Sequence, residues 1–274
     1  MKSFTTTQDM TQYEVSQDYC EPYLGATHDD LQAARFNKYD TYIDKNEFFV
    51  YDDVNHKYNI YRRVEYIENP SNAYIDTDVL MTNKTRIETI LKCNRRLAQM
   101  TLFGVMDRVN GDVYTNGQRN GSTLFAFSMA DASDGGDWIS TGVYSANKLK
   151  FIYDTTYTKS AQENLFGLTI YNEDGTLLKY TSPKYYINAY STSQASICIC
   201  TANPTLSANG GVGVGRFAPL NVYYFKIINT NNNTIVRDFI PVKRINDNVY
   251  GLWDKVEGKF YISPNGTQFT GGLK

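Results

Sequence analysis

Residues 222–272 read VYYFKIINTNNNTIVRDFIPVKRINDNVYGLWDKVEGKFYISPNGTQFTGG, and this stretch decides the fold class. Three runs in it, Tyr223–Ile228, Thr234–Ile240 and Lys259–Ile262, are rich in Ile, Val, Tyr and Phe and alternate apolar with polar. That period of two marks strands with one face in a core. Asn229-Thr230-Asn231-Asn232-Asn233 separates the first two runs. Asparagine adopts positive φ readily and bonds its own backbone, so the segment predicts a turn and the two runs a hairpin. Pro241 has no N–H to give a ladder, and it predicts the end of the second strand.

The same pattern continues upstream. Strands are predicted at 62–68, 73–79, 84–92, 99–106, 124–129, 138–144, 148–154, 165–171, 177–180, 184–190 and 196–201. Asn110-Gly111, Asn116-Gly117 and Asn120-Gly121 predict successive tight turns, and residues 209–215 a glycine-rich crossover. Short strands separated by turn residues imply a two-sheet antiparallel sandwich over residues 61–274. Residues 1–60 read as an N-terminal arm or adaptor. Residues 1–27 have no sustained period, and Thr27 with Asp30 resembles a capping box opening one short helix to about Lys38. Glu47–Tyr51 and Lys57–Arg63, around a turn at 52–56, predict a β-hairpin.

Val236-Arg237-Asp238-Phe239-Ile240-Pro241, Gly251-Leu252-Trp253-Asp254, Phe260-Tyr261, Gly266, Phe269 and Gly271-Gly272 follow one another in a recognisable order. This order resembles the closing segment of concanavalin A-like (LamG-type) jelly-roll domains of tailed-phage virion proteins and gut-bacterial surface proteins. Val64-Glu65-Tyr66-Ile67-Glu68 with Tyr74-Ile75-Asp76-Thr77 is similar to the opening segment, and Leu102-Phe103-Gly104 to an internal one. Three positions depart from the pattern: Asp78 stands where glycine is usual, Trp253 where tyrosine is commoner, and Val242 where cysteine often follows the proline. The resemblance implies a jelly-roll sandwich.

Composition bounds the function. The chain has 274 residues, a net charge of −2 and no run of about 18 apolar residues, so no nucleic-acid footprint, membrane surface or membrane helix is expected. Residues 1–60 hold 5 basic and 11 acidic side chains, a balance of −6, against 22 and 18 in the remainder, a balance of +4. Two readings stand for the acidic arm, docking on a basic partner and a solvated tail. The 23 tyrosines suit either a β-rich core or a contact surface. Cys198 and Cys200 are two apart in an apolar run and poorly placed to bridge each other, so the 4 cysteines are expected as buried thiols. Met1–Asp9 contains no apolar stretch, so the expectation is a protein assembled without an ordinary secretory leader.

Catalysis is not expected. Glycan hydrolysis needs two carboxylates across the scissile bond, and no Glu-x-Asp-x-Glu strand occurs. The 2 histidines, His28 and His56, both lie in the arm. Asp131, Asp134 and Asp137 flank Gly135-Gly136 as either a calcium loop or a solvated acidic loop. Trp138 follows as either a core residue or a platform for a sugar face, with Tyr144 and Arg119 as companion glycan contacts. Arg237, Asp238 and Asp254 are expected as internal ion pairs. No cofactor or metal is required. Together these readings lead us to expect a non-enzymatic virion protein, a homotrimer docked on capsid or tail through residues 1–60, its body contacting host or mucus glycans. A carbohydrate-binding module of a bacterial surface protein and a glycoside hydrolase are the alternatives.

Overall fold

The computed structural model describes residues 47–52, 54–55, 57–95, 100–106, 113–118, 125–130, 139–143, 145–156, 167–181, 195–202 and 217–272. The helix expected to end near Lys38 and the rest of residues 1–46 lie outside them, as do the expected strand at 184–190 and the glycine-rich 209–215. Among the described residues the regular elements are all strands, and they form two sheets.

The larger sheet has twelve strands. Its main path runs β1 (Glu47–Asp52), β2 (Lys57–Arg63), β15 (Thr234–Arg244), β14 (Leu220–Asn229), β5 (Thr85–Cys93), β10 (Leu149–Asp154), β11 (Gly167–Asn172) and β12 (Leu177–Thr181). From β15 branch β16 (Val249–Asp254) and β17 (Lys259–Tyr261), and from β14 branch β3 (Tyr66–Glu68) and β18 (Thr270–Gly272). The smaller sheet orders β4 (Ile75–Leu80), β13 (Ser196–Ile199), β6 (Met100–Met106), β7 (Val113–Gln118), β8 (Phe125–Ala130) and β9 (Ile139–Ser140). Every ladder between these strands is antiparallel.

Alternation in the sequence becomes alternation of burial. Along β5, Thr85, Ile87, Thr89, Leu91 and Cys93 are buried while Arg86, Glu88, Ile90 and Lys92 are half-exposed on the other face. The buried face meets the smaller sheet in an aromatic layer. Phe103 lies edge-on to Tyr153 and Phe225, with ring centroids 6.0 and 5.6 Å apart, and Phe125 edge-on to Phe151 at 5.3 Å. Such contacts add about 0.5–1.5 kcal/mol each beyond the area they bury. Cys93, Cys198 and Cys200 are buried thiols, as expected, and burial pushes the Cys93 thiol up to about 12.

Four expectations need correction. Pro241 does not end its strand, because β15 runs on to Arg244. The Pro241 carbonyl accepts from Val64 N at 3.1 Å, so its nitrogen faces the same edge. There β15 exchanges β14, last paired at Phe239, for β2, first paired at Val242, so the missing N–H falls where one neighbour gives way to the other. Asn116-Gly117 is no turn either. It sits inside β7, with Asn116 opposite both Phe103 and Phe127, and pairing on two sides overrides local turn preference. The strand expected at 62–68 breaks at Val64-Glu65, where Glu65 N turns to Gly272 O at 3.0 Å. In the strand expected at 138–144, only Ile139–Ser140 is extended in the described part, because Gly142 adopts φ 72°.

The β1–β2 hairpin is as expected, its turn held by Asp52 Oδ1 accepting from Val54 N (3.1 Å) and Asn55 N (3.0 Å). Strand β2 crosses residue 60 and pairs with β15 through Tyr61, Arg62 and Arg63.

Candidate functional site

Two clusters carry the chemistry among the described residues. The first lies in the closing segment. Phe239 stands opposite both Phe225 of β14 and Asp254 of β16, which brings Arg237 and Asp254 to one place. Asp254, fully buried, takes the N–H groups of Asp238 (2.9 Å) and Val256 (3.0 Å) on Oδ1. Its Oδ2 faces Arg237 Nε at 3.5 Å, an ion pair without a hydrogen bond, since that Nε–H is given to Thr77 O at 3.1 Å. Arg237 also reaches Glu257 (2.7 Å), and Glu257 accepts from the Tyr261 hydroxyl (2.6 Å). Lys255 and Asp238 pair at 3.3 Å. The network joins β15, β16, β17 and β4, so its role is to hold the closing strands, as the sequence leads one to expect.

The glycines of this segment have a packing reason. A Cβ on Gly251 would run into the Tyr261 carbonyl and the Phe260 ring. One on Gly271 would come within 2.6 Å of the Tyr250 ring and 2.8 Å of Tyr66 O.

The second cluster is an open groove of about 490 Å3 at one end of the larger sheet. It is assembled from five separate pieces of chain. Lys92 projects from β5, and Tyr223 stands in β14 where the register slips between Val222 and Tyr224. Lys148 immediately precedes β10, and Glu65 lies between β2 and β3. Asn172, Glu173 and Asp174 form the turn after β11, closed by Asn172 N donating to Thr176 O (2.9 Å) and by Gly175 at φ 85°.

Lys148 Nζ is 2.9 Å from Glu173 and 4.0 Å from Glu65, and 4.5 Å from the centre of the Tyr223 ring. The hydrogen bond to Glu173 holds the Lys148 ammonium above the ordinary lysine range. Hydrogen bonds from Thr176 hold the Asp174 carboxyl below its usual value, and burial pushes the Tyr223 phenol up. Tyr66 packs beside Tyr223 with centroids 5.4 Å apart. The groove therefore offers ammonium, carboxylate, amide and phenol groups within one open surface.

Trp138, Tyr144 and Arg119, the expected glycan contacts, lie outside the described residues, as do Asp131, Asp134, Asp137, His28 and His56. Among the described residues no group of three or more His, Cys, Asp or Glu is arranged to hold a metal ion. Sequence reading missed the groove because its members span 65 to 223 and share no local period. The one local signal was Asn172-Glu173-Asp174-Gly175, a turn flanked by apolar runs. No family model matches the chain, and no curated protein matches it.

Proposed function

We propose that this chain is a non-enzymatic structural protein of a tailed-bacteriophage virion, a head fibre or a capsid or tail decoration. Residues 1–60 dock it on the particle, and a concanavalin A-like jelly-roll body is exposed and holds host or mucus glycans. The observation that carries this reading is the closing segment. Its Arg237, Asp254, Gly251 and Gly271, the residues on which the family resemblance rests, do architectural work where the larger sheet branches. A body whose most distinctive residues hold strands together suits adhesion and display. The −6 balance of residues 1–60 supports docking on a basic shell. The pairing of β2 with β15 supports an anchor that passes its load directly into the sheet. A homotrimer is the assembly we propose for such a fibre or decoration.

The test is mass spectrometry of purified virions, with the chain located on the particle by electron cryomicroscopy. We expect it in stoichiometric amounts, and its absence from particles overturns the reading. The informative truncation removes residues 1–46. Removing 1–60 would also take β1 and half of β2 out of the sheet. The 47–274 protein is expected to fold and to fail to incorporate. The polar groove favours a second reading, a carbohydrate-binding module of a bacterial surface protein, which predicts glycan binding by a chain that no particle contains.

A further inference from the structure

We infer that the groove formed by Lys92, Lys148, the Asn172–Asp174 turn and Tyr223 binds a neutral, hydroxyl-rich saccharide, held edge-on by hydrogen bonds with no ring stacking. The inference deepens the glycan-holding part of the proposed function and is independent of whether the chain belongs to a virion.

Stacking is ruled against by what already touches the aromatic wall. Lys148 Nζ lies 4.5 Å from the Tyr223 centroid, and Tyr66 crowds the same ring at 5.4 Å. Hydrogen bonding is favoured by the lining. The Lys148–Glu173 pair, at 2.9 Å, sets a donor beside an acceptor, and vicinal hydroxyls, each able to donate and accept, match such a pair. Asn147 and Asn172 line the groove, and among the described residues their hydrogen bonds run through the backbone, so each side-chain amide offers donor and acceptor groups to a ligand. Among the described residues the Lys92 ammonium makes no ion pair, which leaves it to a ligand. Charge sets the class of sugar. Glu65, Glu173 and Asp174 outweigh Lys92 and Lys148, so an acidic saccharide meets net repulsion and a neutral one does not. The volume falls within the roughly 300–1,000 Å3 of small-molecule sites.

The test is a 15N–1H NMR titration of the full chain with glucose, galactose, N-acetylglucosamine and maltose, and with glucuronate as the anionic arm. Saturable shifts at Lys92, Lys148, Glu173 and Tyr223 with a millimolar Kd are expected for at least one neutral sugar. Lys148→Met keeps the stem on the ring but removes the ammonium, and should weaken that sugar about tenfold, the loss of one charge-assisted hydrogen bond. Asn147→Ala, on an exposed loop, provides a second variant with a several-fold loss should Lys148→Met disturb the fold. No saturable shift with any sugar overturns both this site and the glycan-holding reading. Shifts confined to other residues, or tighter binding of glucuronate, overturn this site and leave that reading standing.

Discussion

Strands β15 and β16 line two cores at once, and the two differ. On one face Phe239 and Leu252 join the large core between the sheets, where Phe239 meets the Tyr261 ring edge-on at 5.2 Å. On the other, Ile240, Val242 and Trp253 close a small core with Phe48 and Tyr61 of the β1–β2 hairpin. Phe48, Tyr61 and Trp253 lie mutually within about 5 Å between ring centres (5.3, 5.0 and 5.0 Å), and the Arg244 guanidinium caps Phe260 at 5.1 Å. The large core draws on both sheets and fails only if the sandwich opens. The small core draws on strands of the larger sheet alone, and its failure is expected to release the hairpin first. Val242 and Trp253, two of the three positions that depart from the jelly-roll pattern the sequence resembles, sit together in this small core.

The largest expected effect breaks the large core. Phe239→Ala should cost about 3–5 kcal/mol and lower the single unfolding transition of the whole body, read by denaturant titration. Next comes the bridge between the sheets, which reaches Thr77 of β4 from β15 and β16. Arg237→Met leaves the Asp254 carboxylate buried with two N–H donors and no cation, at a cost of about 3 kcal/mol, checked the same way. In the small core, Ile240→Val should cost about 1 kcal/mol. Hydrogen exchange should then quicken in β1 and β2 before it does in β5 or β10, whereas uniform quickening would show that the two cores unfold as one.

Alkali should act on the large core. Burial, then the hydrogen bond to Glu257, raises the Tyr261 phenol above the value near 10 of an unfolded tyrosine. A group whose folded pKa is raised stabilises fully below the unfolded value and loses that contribution as pH climbs through the folded one. Stability should therefore fall above about pH 10, and less steeply in Tyr261→Phe, as measured by chemical denaturation across pH 8–12. The smallest effect is a gain. Asp78 holds φ 57° with its side chain exposed, a conformation glycine adopts without strain, and Lys259 pairs with it only at the surface. Asp78→Gly should stabilise by about 0.5 kcal/mol, read as a small upward shift of Tm.

Most strands were legible because burial on one face writes a period of two into the chain, and β4, β5, β6, β10 and β11 fall within two residues of their expected bounds. Strand β16 was not read from Val249-Tyr250-Gly251-Leu252-Trp253-Asp254, because both of its faces are covered and the alternation is lost. Pro241 misled for a related reason: whether a missing N–H costs anything depends on which neighbour faces it, and that neighbour arrives from residue 64. The ion pairs of Arg237 and Asp254 were foreseeable from charge inside an apolar run. The groove was not, since a charged residue on an outward strand face has the same local signature whether it points to bulk water or into a cleft.

The amino-acid sequence by itself determined that the described body is built of strands with buried thiols, that Asn229–Asn233 turns, and that the runs on either side of it form a hairpin. These are local consequences of side-chain period and backbone preference. Only the tertiary structure decided that the larger sheet branches at β14 and β15, that the hairpin at 47–63 is joined to the body, and that Lys148 meets Glu173 over Tyr223. Each depends on strands distant in sequence coming into register, and the free energy of that register belongs to the pair and not to either strand.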